Sequence, residues 1–224
     1  MKVVIFGASG MVGQGVLREC LESENVTAAL VVGRSPCGLE HSKIEEILHS
    51  DFADYGPIEA SLGGLDACFF CLGVSAAGMS EDDYQRVTYD FAVHAAETLS
   101  QLNPEMVFCY VSGAGTDSSE SGRSMWARVK GMTENRLLEI PFKAAYMFRP
   151  GYIQPMKGVR SKTRLYQTMY AVLAPLYPIW KTLFPKLVTT TEKVGLAMIR
   201  VAENGFSKPV IETRDINVLA SDCD

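Results

Sequence analysis

The chain has 224 residues, 47% of them apolar, and a net charge of −5. That supplies one large domain core, and an acidic balance with no basic run excludes nucleic-acid binding as its main role. Six cysteines, at 20, 37, 68, 71, 109 and 223, are scattered, several of them in apolar runs. This is a pattern of buried thiols in a reducing compartment, not of a disulfide framework.

The opening run, MKVVIFGASG, is too short for a secretory signal core and reads as a first strand over 2–8, so a cytoplasmic protein is expected. Val12, Val16, Cys20 and Leu21 make one apolar face of a helix over 11–22. Further strands are read at 27–34, 44–51, 67–73, 106–113, 143–150 and 209–216. Central ones such as 67–72 are continuously apolar, as a sheet covered on both faces requires. Val87, Phe91, Ala95 and Leu99 recur every fourth residue in a helix over 82–101, and others follow at 123–139 and 190–203. In the last, TTTEK offers a capping threonine with Glu192 in the first turn. Strand–helix alternation predicts an α/β fold: a doubly wound parallel sheet, a Rossmann fold, in one domain over 1–224. The stretch 152–189 breaks the alternation and is expected as a lid or substrate segment over the strands' C-terminal ends. Within it, 165–184 is rich in aromatics but carries Gln167, Pro175, Pro178 and Lys181. A spanning helix needs about 20 mostly apolar residues, so no transmembrane segment is expected.

The loop FGASGMVGQG places Gly7-x-x-Gly10-x-x-Gly13 directly after a strand and at the opening of a helix. Gly7 permits the tight turn, Gly10 lets backbone approach a pyrophosphate, and Gly13 lets helix and strand pack closely. Met11 and Val12 open the helix, whose free N–H groups attract phosphate, and Ser9 adds a hydroxyl. A dinucleotide is therefore expected. The second strand ends in Arg34 and Ser35 where an acid would favour NAD, and an arginine suits a 2′-phosphate, so NADP is favoured over NAD. Asp51 and Phe52 end the third strand near the expected adenine. Cys71, Leu72 and Gly73 end the fourth near the ribose or pyrophosphate. Cys68-x-x-Cys71 looks like a metal or redox pair, but a three-residue offset on a strand points the thiols to opposite faces. His41, His49 and His94 have no ligand-spaced partner, and no metal site is expected.

The Gly loop, VVGR, DF at 51–52, CLG at 71–73, YVSG at 110–113, VKG at 129–131 and FRPG at 148–151 occur in this order along nearly the whole chain. Together they resemble the short-chain dehydrogenase/reductase superfamily, nearest its atypical, epimerase-like branch with the Tat-interacting-protein-like subgroup. The resemblance implies that Ser112 bonds the substrate oxygen and that Lys130 grips the nicotinamide ribose. It also implies that Pro150-Gly151 passes the nicotinamide, with Tyr152 and Ile153 beside its carboxamide. Family members pair through helices, so 82–101 and 123–139 are the candidates for a homodimer.

The resemblance fails at the catalytic tyrosine, whose position holds Trp126, one helical turn before Lys130. An indole N–H donates a hydrogen bond but exchanges no proton at working pH, whereas general acid–base help is typically worth about 10²–10⁴ in rate. Tyr152, Tyr166, Tyr170, Tyr84 and Tyr89 are the substitute candidates, Tyr152 and Tyr166 foremost. Three readings stay open. One is an NADP(H)-dependent oxidoreductase or epimerase-like enzyme on a small apolar substrate. Another is a weak or inactive NADP(H) sensor that binds a partner protein or a membrane surface through 152–189. The last is a cofactor-free structural protein.

Overall fold

The structure, a computed structural model, describes residues 1–158 and 187–221. Its frame is a seven-stranded parallel sheet in the order β3-β2-β1-β4-β5-β6-β9. The strands are β1 (Lys2–Phe6), β2 (Ala28–Gly33), β3 (Ile44–Leu48), β4 (Ala67–Phe70), β5 (Val107–Val111), β6 (Ala144–Arg149) and β9 (Val210–Glu212). This is the Rossmann arrangement. Strand order reverses at β1, which pairs β2 on one side and β4 on the other, so a crevice opens over their C-terminal ends.

Alternation along β1 builds the two sides. Val3 and Ile5 enter one core with Val16, Leu17 and Cys20 of α1 (Met11–Glu22) and Val194, Ala197 and Met198 of α5 (Thr191–Asn204). Val4 and Phe6 enter the other with Leu99 of α3 (Phe91–Leu102) and Leu137 of α4 (Met125–Glu139). Cys68 belongs to the second core and Cys71 packs on the first, so the two thiols do face opposite sides. Helices α1 and α5 approach closely: a Cβ on Gly15 would lie 2.5 Å from that of Thr191. Thr190 caps α5, its hydroxyl accepting from the Lys193 N–H at 3.1 Å.

Three readings change. The stretch 82–101 is not one regular helix. It comprises α2 (Glu81–Gln85), a π-helical stretch (Arg86–Asp90) and α3. The strand expected over 209–216 ends at Glu212, and α6 (Thr213–Ser221) starts there, burying Ile216, Leu219 and Ala220 on a helical period. The Asp215 carboxylate accepts from the Glu212 N–H at 3.3 Å and marks the switch. A two-stranded parallel ladder, β7 (Tyr152–Gln154) with β8 (Val188–Thr190), was not anticipated, because three residues are too few to show a period. The aromatic stretch 165–184 lies outside the described residues. Among those described, no helix is long and apolar enough to cross a membrane.

Candidate functional site

A cavity of about 610 Å³ fills the crevice at the reversal point. Its floor is the glycine loop. Gly7 stands at φ +79°, and a Cβ there would lie 2.7 Å from the Leu72 nitrogen, so only glycine fits the turn. The Gly10 N–H donates to the Gly7 carbonyl at 2.9 Å and closes it. No side chain caps the start of α1, and Ser9, Gly10, Met11 and Val12 at its opening line the cavity with their backbone N–H groups. Those groups, with the helix dipole, are the chemistry an anionic pyrophosphate needs.

Arg34, Ser35 and Phe52 line one end, Cys71, Leu72 and Gly73 the middle, and Ser112, Lys130, Pro150, Gly151 and Ile153 the other end. Gly33, Val74, Ser75 and Val111 also line it. Sequence reasoning passed over these four, although Gly33, Val74 and Val111 each adjoin a named position and Ser75 follows one residue later. Four expected residues are not among the lining, Tyr152 (below) and three others. Gly13 is buried under the loop, where a Cβ would lie 2.2 Å from the Gly7 carbonyl oxygen; its role is packing. Asp51 is not in the lining, and its carboxylate accepts from the Ala53 N–H at 3.0 Å. Trp126 packs over the loop after β5: a Cβ on Gly115 would lie 3.5 Å from the indole.

The loops after β5 and β6 are tied together. The Ser112 N–H donates to the Phe148 carbonyl at 2.8 Å and the Ala114 N–H to that of Pro150 at 2.9 Å. Thr213 receives the Gly151 N–H at 2.8 Å, so the first residue of α6 holds the Pro150-Gly151 turn. Ser112 is buried and its Oγ lies 2.8 Å from Thr116 Oγ1. The Thr116 hydroxyl itself donates to the Gly113 carbonyl at 2.8 Å. With its single proton committed there, Thr116 accepts from Ser112, and Ser112 turns lone pairs to the cavity.

Lys130 Nζ donates to the Val111 carbonyl at 3.3 Å and sits 5.2 Å from the centre of the Tyr110 ring. Burial pulls its ammonium down to about 8, against the upward pull of Glu134 one turn along α4. Burial pushes the Cys71 thiol up to about 12, so it stays protonated at neutral pH. The Tyr152 hydroxyl donates to Gln154 at 2.9 Å and is not in the lining; Tyr84 is buried. Tyr166 and Tyr170 lie outside the described residues. Among the described residues no three His, Cys, Asp or Glu side chains stand where a metal ion could be held.

Fold and loop together define a Rossmann-type domain with an open crevice shaped for a dinucleotide. No family model matches the chain. It is 29% identical over 153 residues to Protein HTATIP2 of Rattus norvegicus, covering 67% of this chain and 62% of that one, so the match spans less than two thirds of that relative. It is 23% identical over 224 residues to Protein fmp52-2, mitochondrial, of Aspergillus oryzae, covering 97% and 96%. Among solved structures, the Bordetella bronchiseptica enzyme WbmF in complex with NAD+ superposes with a TM-score of 0.67 at 15% identity, over 98% of this chain and 76% of that one. ADP-L-glycero-D-manno-heptose-6-epimerase of Helicobacter pylori does so at 0.65 and 15%, over 98% and 81%. Relatives and fold bear out the resemblance to the atypical, epimerase-like branch of the short-chain dehydrogenase/reductase superfamily.

The cytoplasmic expectation is corrected. The relatives from Aspergillus oryzae, Meyerozyma guilliermondii and Debaryomyces hansenii are named mitochondrial, so the cytoplasmic expectation does not stand.

Proposed function

We propose that the chain binds NADP(H) in the 610 Å³ crevice and acts as an oxidoreductase or epimerase-like enzyme on a small apolar substrate. The observation that carries this reading is the joint lining: the glycine loop at the centre, Arg34 and Ser35 at one end, Ser112 and Lys130 at the other. In it, α1 and the glycine loop receive the pyrophosphate, and Arg34 takes the 2′-phosphate. Lys130 holds the nicotinamide ribose, and Pro150, Gly151 and Ile153 border the ring. When bound, the cofactor supplies or takes the hydride. Ser112, its proton given to Thr116, offers an acceptor to a substrate hydroxyl. Of the segment 152–189, expected as a lid or substrate segment, residues 159–186 lie outside the described residues.

Calorimetric titration with NADPH and NADH tests the cofactor assignment. A charge-assisted contact contributes about 1.5–3 kcal/mol, so Arg34→Ala weakens NADPH roughly 10–100-fold and leaves NADH unchanged. An unchanged NADPH-to-NADH ratio sinks the 2′-phosphate contact. A second reading, a weak or inactive NADP(H) sensor, draws on Trp126, which packs on Gly115 and not in the cavity. It requires tight NADPH binding with no turnover, and a partner protein or membrane surface retained by the NADPH-loaded form.

A further inference from the structure

Carbonyl reduction or alcohol oxidation in this crevice needs a group that releases or takes one proton at the substrate oxygen. The described residues narrow the choice. Trp126 is outside the lining, and an indole cannot exchange a proton at working pH. The Ser112 proton is committed to Thr116, whose own proton is on the Gly113 carbonyl. The Tyr152 hydroxyl is turned to Gln154. Cys71 lies in the lining, but burial holds its thiol protonated to about 12. Arg34 stands at the opposite, ribose-phosphate end and does not deprotonate.

Lys130 remains. It lines the cavity beside Ser112 and Val111, and only one of its three N–H bonds is directed to the Val111 carbonyl. Resting on the cofactor reading above, we propose that Lys130 is itself the proton carrier of this site, not only the clamp on the ribose. When bound, the reduced nicotinamide would supply a hydride to the carbonyl carbon in the reductive direction. The carbonyl π pair moves onto oxygen, one Lys130 N–H bond breaks, and its proton forms the new O–H bond. Lys130 is left as a neutral amine, which takes a proton from water before the next turnover. Oxidation of an alcohol runs the same transfers backwards, from the neutral amine.

The surroundings of Lys130 suit that cycle. Glu134 on the same helix is the facing carboxylate, and it is locked to Arg149 of β6, so it does not form a tight ion pair that would hold the proton on Lys130. Below lies the Tyr110 ring of β5, with Tyr84 of α2 coupled to it. Burial pushes the Tyr110 phenol up, so it stays neutral. The Cys71 thiol at the end of β4 is also neutral. Desolvation therefore brings Lys130 to about 8, within reach of neutral pH, where a proton carrier is most effective.

The test uses the full chain, NADPH and 4-nitrobenzaldehyde as the carbonyl probe, with Lys130→Arg as the variant. Arginine keeps the charge and the donors but not the exchangeable proton. In the wild type the single-turnover rate of NADPH oxidation falls as pH rises through about 8, because the ammonium is the competent form. Measured at saturating NADPH, Lys130→Arg loses 10²-fold or more of that rate and loses the pH limb. Independently, the pH dependence of reductive methylation at Lys130, read by peptide mass spectrometry without cofactor, has its midpoint near 8, not at the ordinary ~10.4. A Lys130→Arg variant with wild-type rate and limb overturns the proposal, as does methylation that rises only near pH 10. NADPH bound but not oxidised at any pH overturns the proton step and leaves the cofactor reading standing, whereas failure to bind NADPH overturns both.

Discussion

Removing the charge of Glu134 offers the sharpest check on how α4 is held to the sheet. Glu134 is 1% exposed and Arg149 13%, and the carboxylate takes Arg149 Nε at 3.0 and 3.1 Å as well as a short bond from Nη2. Glu134→Gln keeps the shape and strands a buried guanidinium. Breaking a buried pair from one side costs about 3–5 kcal/mol. Arg149 retains Ser118 Oγ at 2.6 Å and the half-exposed Glu212 at 3.7 Å, which places the loss at the lower end, about 3 kcal/mol. With a urea m-value of about 3 kcal/mol/M for a chain of this size, the midpoint drops by about 1 M. The double variant Glu134→Met, Arg149→Met removes both charges and recovers most of that loss, because two apolar side chains need no mutual compensation. The same Glu134→Gln change withdraws the carboxylate that supports the Lys130 ammonium, so the Lys130 titration moves below about 8. A single variant within ~0.5 kcal/mol of wild type, or a double variant no better than the single, refutes the reasoning.

Two further outcomes follow from close contacts. Alanine normally stabilises a helix over glycine by up to ~1 kcal/mol, but a Cβ on Gly131 would lie 1.8 Å from the Asp117 carbonyl oxygen. Gly131→Ala therefore destabilises by about 1–3 kcal/mol and weakens NADPH by shifting the Ser112–Thr116 loop; a raised urea midpoint contradicts this. Lys157 Nζ lies 2.9 Å from Glu19, 2.7 Å from Glu22 and 3.6 Å from Glu192. Burial raises the Glu19 carboxyl, and Lys157 opposes that rise. Lys157→Met lowers stability at pH 7 by on the order of 1–2 kcal/mol. It also raises the folded Glu19 pKa further above its unfolded value of 4.5. The folded variant then binds more protons than the unfolded chain, so the deficit shrinks as pH falls from 7 towards 5. Urea midpoints at both pH values measure it, and an equal or wider gap at pH 5 counts against the assignment.

Local chemistry was enough to read the sheet and most of the crevice. Continuous apolar runs marked the covered strands, threonines marked the cap of α5, and three glycines at fixed offsets marked the phosphate turn. These features depend on residues near one another in sequence, or on a backbone shape only glycine can take. Arg34 and Cys71 were legible for a related reason, because strand ends in a parallel sheet converge on one edge whatever the loops do, whereas Ser112 and Lys130, the latter on α4, were named only through the family resemblance. What required the tertiary structure was direction. Thr213 ends a strand reading because its hydroxyl is wanted by Gly151, 62 positions away. Asp51 and Trp126 are absent from the cavity lining, one accepting from the Ala53 N–H and one packed on Gly115. The Ser112 proton is spoken for only because Thr116 is folded over Gly113. Sequence names which groups reach a site; where each proton and lone pair points is set by contacts between segments distant in the chain.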